Sequence, residues 1–198
     1  MELQSTLIDV YLCQLEDREI PVENFLAEVI QDPQLFVFGE LLAHDRVKSV
    51  NSLLVDQLRT MAYGSYKEYI SKFGNRVEAS VVEKIRMLTV LGIFSQLGWF
   101  DVPLNTLAEA VGLSEEPMLT TYKLLIEMRR KGLAEVRIDE INQTVNVVNV
   151  HVFRDVCAAE ISSKLDQFRA YIDHVRSVVD DPSSHLPEEI MEAIKLIS

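Results

Sequence analysis

The residues from which a metal site, a nucleophile or an acid–base pair would be built are four histidines, two cysteines and several adjacent acids. The histidines are His44, His151, His174 and His185, and no two stand in an H-x-H or H-x-x-x-H spacing. None is beside a cysteine, so local spacing builds no metal site. Cys13 and Cys157 lie far apart without metal or redox spacing and read as reduced core thiols. In Glu16-Asp17, Glu115-Glu116 and Glu188-Glu189 the carboxylates are neighbours in sequence, so they point apart. They suit solvated faces or helix-dipole partners better than a catalytic dyad. A glycine-rich phosphate loop, a nucleophile elbow and the kinase and hydrolase residue sets are all missing. The expectation is a chain with no catalytic residues, no metal ligands and no cofactor.

The cationic run Arg129-Arg130-Lys131 admits two readings. It could contact phosphates, or it could oppose the negative end of a helix dipole. The chain has a formal net charge of -12 and a pI near 4.8. Binding duplex DNA requires Lys and Arg to displace counterions from phosphates. Glu115 and Glu116, at the expected start of the same helix, would meet phosphates with like charge. The dipole reading is preferred, and the expected partners are proteins rather than nucleic acid.

The elements that carry these residues are mostly helices. The chain has 198 residues, 48% hydrophobic and 25% charged, with only 7 Gly and 6 Pro. That is globular composition, enough to bury a core. No apolar run approaches the roughly 18 residues of a membrane span. The segment after Met1 lacks a basic and apolar leader, so secretion is not expected, and Asn142-Gln143-Thr144 reads as a chance glycosylation match.

Pro21 suits a first helical turn, with Phe25, Leu26, Val29 and Ile30 on one face before Pro33. Val50, Leu53, Leu54, Gln57, Leu58 and Met61 read as one buried stripe, and Tyr66, Tyr69, Ile70 and Phe73 repeat the pattern before Gly74. Helix pairs on short turns suggest a stacked helical repeat. From Val81 to Leu97 apolar residues surround the helix on all sides, which predicts burial between that stack and the module C-terminal to it.

Asp101 and Pro103 open a helix through Val111, closed by Gly112; Ser114 reads as the N-cap of a third helix ending at Gly132. Leu133–Ile138 and Val145–Val150 read as a β-hairpin. The expected fold class is mainly α, a stacked helical repeat followed by a winged-helix module and a C-terminal helix. The expected divisions are 1–79, 80–153 and 154–198.

Three segments occur in order, Phe36–Leu42 (FVFGELL), Met61–Tyr66 (MAYGSY) and Lys84–Val90 (KIRMLTV). With the helix-stack-plus-wing pattern, they resemble the PCI-domain family over roughly Leu26 to Val179. Within it they are most similar to the subunit-seven branch of the COP-nine signalosome, with the subunit-M branch of translation initiation factor three as runner-up. The resemblance implies a non-catalytic scaffold subunit of the signalosome, the complex that removes the ubiquitin-like modifier Nedd from cullins. It would sit among other PCI subunits and metalloprotease-domain subunits, in cytoplasm and nucleus, with no membrane partner. The alternatives are a PCI subunit of initiation factor three or of the proteasome lid and, from a different class, a nucleic-acid-binding winged-helix protein.

Two surfaces are expected to meet partners. One is the wing edge, with Val145, Val147 and Val148 on the strand and Glu135, Val136 and Arg137 beside it, since an unpaired strand edge can accept another strand. The other is the C-terminal helix, where Ile161, Leu165, Phe168, Ile172, Val175 and Val179 form a heptad seam. Lys164, Asp166, Arg169, Asp173 and Arg176 face away from that seam.

Overall fold

Helix α7 (Ala79–Leu97) is the element around which the rest is built. In a computed structural model that describes residues 2–74, 77–97, 101–157, 161–162, 165–166 and 169, α7 follows six shorter helices. These are α1 (Glu2–Glu16), α2 (Val22–Gln31), α3 (Gly39–Ala43), α4 (Asp45–Lys48), α5 (Leu53–Tyr63) and α6 (Tyr66–Phe73). After it come β1 (Asp101–Pro103), α8 (Leu104–Ala110), α9 (Met118–Arg130), β2 (Ala134–Asp139) and β3 (Thr144–Val150). The protein is mainly helical with a small sheet, as expected. No described helix is long and apolar enough to cross a membrane.

Two of the helices start on serine caps. Ser52 and Ser65 cap α5 and α6 by accepting the amides of Val55 and Glu68. Gly74, at φ 72°, lets the chain turn out of α6 in a conformation that side chains with a Cβ disfavour. The expected stripe on α2 is buried, with Phe25, Leu26, Val29 and Ile30 all closed to solvent. On α5 the expected stripe holds in large part: Leu58 and Met61 are buried and Val50 and Leu54 pack against the core, whereas Leu53 is 65% exposed and Val55 and Ala62 are buried in addition.

Helix α7 is wrapped by apolar neighbours, with Ile85, Met87, Leu88, Val90, Leu91 and Phe94 all buried. One continuous apolar core runs from Ile8 in α1 through α7 to Val150 in β3. Met1–Asp155 forms one compact unit and Val156–Ser198 another. Residues 1–79 and 80–153 therefore fall within a single unit, which also takes in Arg154 and Asp155.

Three sequence expectations change in the second half. Asp101–Pro103 is a strand, and the helix begins at Leu104. Pro117, not Ser114, stands at the N-terminus of α9, so Glu115 and Glu116 precede the helix. The expected two-stranded ribbon is a three-stranded antiparallel sheet of order β1-β3-β2. The short β1 was missed because a three-residue strand ending in Pro carries almost no alternation to read.

Candidate interaction surfaces

The charged residues of α7 are the first indication of what the helix does. Lys84 is 4% exposed, yet its Nζ donates to the carbonyls of Val29 (3.1 Å), Ile30 (3.2 Å) and Asp32 (2.6 Å), closing the C-terminus of α2. The ammonium also lies 5.0 Å from the centre of the Phe38 ring. Burial pushes its pKa down to about 7, against the pull of Asp32 and with a smaller push from Lys131.

Two residues on, Arg86 donates from Nε to the carbonyl of Val111 (3.1 Å) beyond α8 and stacks 5.0 Å from the ring of Tyr66 at the start of α6. Thr89 then accepts the Tyr66 amide (2.9 Å) and donates to Ile85 O. The segment Lys84–Val90 is therefore joinery, tying α2, α6 and α8 to one helix. Its signal was legible as charge inside an otherwise apolar helix, but its targets on other elements lie 20 to 55 residues away.

The strand expected at the edge of the sheet lies at its centre. β3 pairs with β1 over Thr144–Asn146 and with β2 along its whole length. Val145 and Val147 are buried at 0% and 3% exposure, so their side chains belong to the chain's own core. This corrects the reading of both as surface contacts. A register shift between Glu135 and Val136 leaves Val148 without an opposite residue and 36% exposed. Such a bulge bends the strand and turns the extra side chain outward. The outer strands of the described sheet are β1 and β2, and on β2 Glu135 and Arg137 are exposed and Val136 is half-buried. The correction has a simple cause: whether a β-rich run lies at an edge depends on whether a distant segment pairs with it.

The cationic run sits where the dipole reading puts it. Arg129 and Arg130 occupy the last turn of α9 and Lys131 is its C-cap. Arg130 pairs with Glu127 at 3.4 Å, and Lys131 reaches the Pro33 carbonyl at 3.2 Å. On the outward side of α9, Leu119 and Ile126 are 59% and 53% exposed. A groove of about 880 Å³ runs between α6, α7 and α9, with Ile70, Val82, Lys123 and Ile126 among its walls.

In the second unit, Ile161 and Leu165 are helical and exposed, and Asp166 pairs with Arg169 at 3.5 Å. Phe168, Ile172, Val175 and Val179 lie outside the described residues, as do Lys164, Asp173, Arg176, His174 and His185. Cys13 is exposed on α1, correcting its reading as a core thiol, and Cys157 is half-buried. Among the described residues no group of three or more His, Cys, Asp or Glu side chains could hold a metal ion.

Together these features describe a mainly helical protein with a small sheet, in which buried Lys84 and Thr89 and the half-buried Arg86 join separate elements. No family model matches the chain. It is similar to COP9 signalosome complex subunit 7 of Dictyostelium discoideum, 21% identical over 168 residues. The match covers 82% of this chain, and the chain spans about 63% of that relative's length. The similarity supports a relationship to that subunit.

Proposed function

We propose that this chain is a non-catalytic scaffold subunit of a signalosome-type complex, with a PCI arrangement of helical repeat and winged helix. The observation that carries the reading is the similarity along 82% of the chain to a signalosome subunit. On this reading α1–α6 form the repeat, β1 and α7–α9 with the β2–β3 hairpin form the winged helix, and residues 154–198 supply the assembly helix. The partners are other PCI subunits and metalloprotease-domain subunits in cytoplasm and nucleus. The surfaces that meet them are the outer edge of β2, with Glu135, Val136 and Arg137, together with the exposed Val148 on the neighbouring β3, and the seam that begins at Ile161 and Leu165. A sheet edge offers a row of backbone donors and acceptors to a second strand.

The test is co-purification of the tagged chain from native extract, read by mass spectrometry, beside Val136→Pro and Arg137→Pro. Successive amides of a strand point to opposite sides, so one variant removes an outward donor and the other an inward one. Recovery of signalosome subunits, lost in the outward variant while the melting transition persists, supports the reading. Recovery of initiation-factor or proteasome-lid subunits, or full assembly of both variants, refutes the signalosome assignment or the edge respectively.

A further inference from the structure

We propose that Arg154 and Asp155 form a polar latch that holds the strap after β3 on α3 and α5, and that this latch opens locally without unfolding the helices. The inference rests on geometry within Met1–Asp155 and is independent of the assembly reading.

After β3 the chain makes a short strap, residues 151–155, that returns to the helices. Arg154 donates from Nε to Ala62 O (2.9 Å) and from Nη2 to Met61 O (2.9 Å) and to Gly64 O. It thereby satisfies the last carbonyls of α5, which have no partner within their own helix. Asp155 does the complementary job at α3. That helix has no side-chain cap of its own, and the Asp155 carboxylate accepts the amides of Phe38 (2.6 Å) and Gly39. A residue 117 positions away thus serves as its N-cap.

Two glycines make room for the latch. A Cβ on Gly39 would lie 2.7 Å from Asp155 Oδ1, and one on Gly92 would lie 3.2 Å from Arg154 Nη1. The first two strap residues are anchored to the sheet, His151 and Val152 donating their amides to the Leu133 carbonyl at 2.9 and 3.2 Å and Val152 buried, whereas Phe153 beyond them is 54% exposed. Burial and the neighbouring Glu40 push the Asp155 carboxyl upward against its two amides and Arg154, so the latch is well directed but not strongly stabilising. Polar attachment with little apolar burial is the profile of a segment that opens below the global unfolding free energy. Open, it frees residues 153–155 while α7 stays packed.

The two sockets explain sequence features that composition left unexplained. Phe36–Leu42 and Met61–Tyr66 each present backbone groups, from Phe38-Gly39 and from Met61, Ala62 and Gly64, to the same strap.

The experiment is amide hydrogen exchange on the full chain, comparing Gly39→Ala, Asp155→Ala and the double variant. Alanine at position 39 suits the helix but collides with Asp155, so it should unlatch a chain whose latch residues are intact. Each single variant is expected to speed exchange at the amides of residues 38 and 39 about ten-fold or more, with α7 protection unchanged. The double variant is expected to exchange no faster than Asp155→Ala alone, the non-additivity of residues in direct contact. Unchanged exchange in Gly39→Ala, multiplicative effects in the double variant, or loss of protection through α7 in either single variant would each overturn the latch.

Discussion

Replacing Lys84 with Met would keep the unbranched stem of the side chain and delete its ammonium, and the consequence depends on pH in a direction that can be worked out. In the folded chain burial lowers the pKa from 10.5 to about 7. The unfolded chain therefore holds this proton more tightly. Between about pH 7 and 10.5 the unfolded state is protonated while the folded state has released its proton, so stability rises with pH at about 1.4 kcal/mol per unit. Below pH 7 both states are charged, and the cost of burying the ammonium is fully present. At pH 7 the variant loses that cost but leaves the carbonyls of Val29, Ile30 and Asp32 without their donor. Each orphaned buried acceptor costs about 1–3 kcal/mol, so the two effects oppose at pH 7. By pH 9 the wild type should have gained about 2.3 kcal/mol that the variant cannot gain, since at pH 7 the folded Lys84 is already half deprotonated. Urea unfolding of both chains at pH 7, 8 and 9 isolates the effect, because every other ionisation is common to the two. The difference between the curves should widen steadily with pH at constant m-value. Parallel curves would show that the three carbonyls and the Phe38 ring keep Lys84 charged, and the burial argument would fail.

Packing sets two further outcomes. Gly112→Ala should cost about 1–3 kcal/mol by thermal or urea unfolding, the range for overpacking, because a Cβ there would lie 2.4 Å from Tyr66 Cε1 on a backbone at φ 68°; an unchanged midpoint would mean that Tyr66 moves freely. Val147→Asp should unfold the chain or lower its midpoint sharply, whereas Arg137→Asp on the neighbouring strand should shift it by roughly 0.5 kcal/mol or less, since one side chain is buried and the other exposed. Similar effects at the two positions would contradict the sheet order.

Much of the architecture was legible because helical periodicity is a local signal. The inward face of α2, the all-round burial of α7 and the β2–β3 hairpin arise from residues within one or two turns of each other. The glycines after α6, α8 and α9 were also legible, and all three adopt positive φ. What failed was non-local. Strand β1 has no pattern of its own, and its pairing with Thr144–Asn146 moved β3 from the edge to the centre.

By itself the sequence determined that the chain is acidic and mainly helical. It also carried three segments that point to one family resemblance. Only the tertiary structure decided what those segments do. Lys84, Arg86, Arg154 and Asp155 bond to groups 20 to 117 residues away, nearly all of them backbone, and backbone carbonyls and amides are the same at every position. No residue pattern in the chain names such a partner. It is set only when the apolar faces have packed and a buried charge is left with the nearest helix ends to satisfy it.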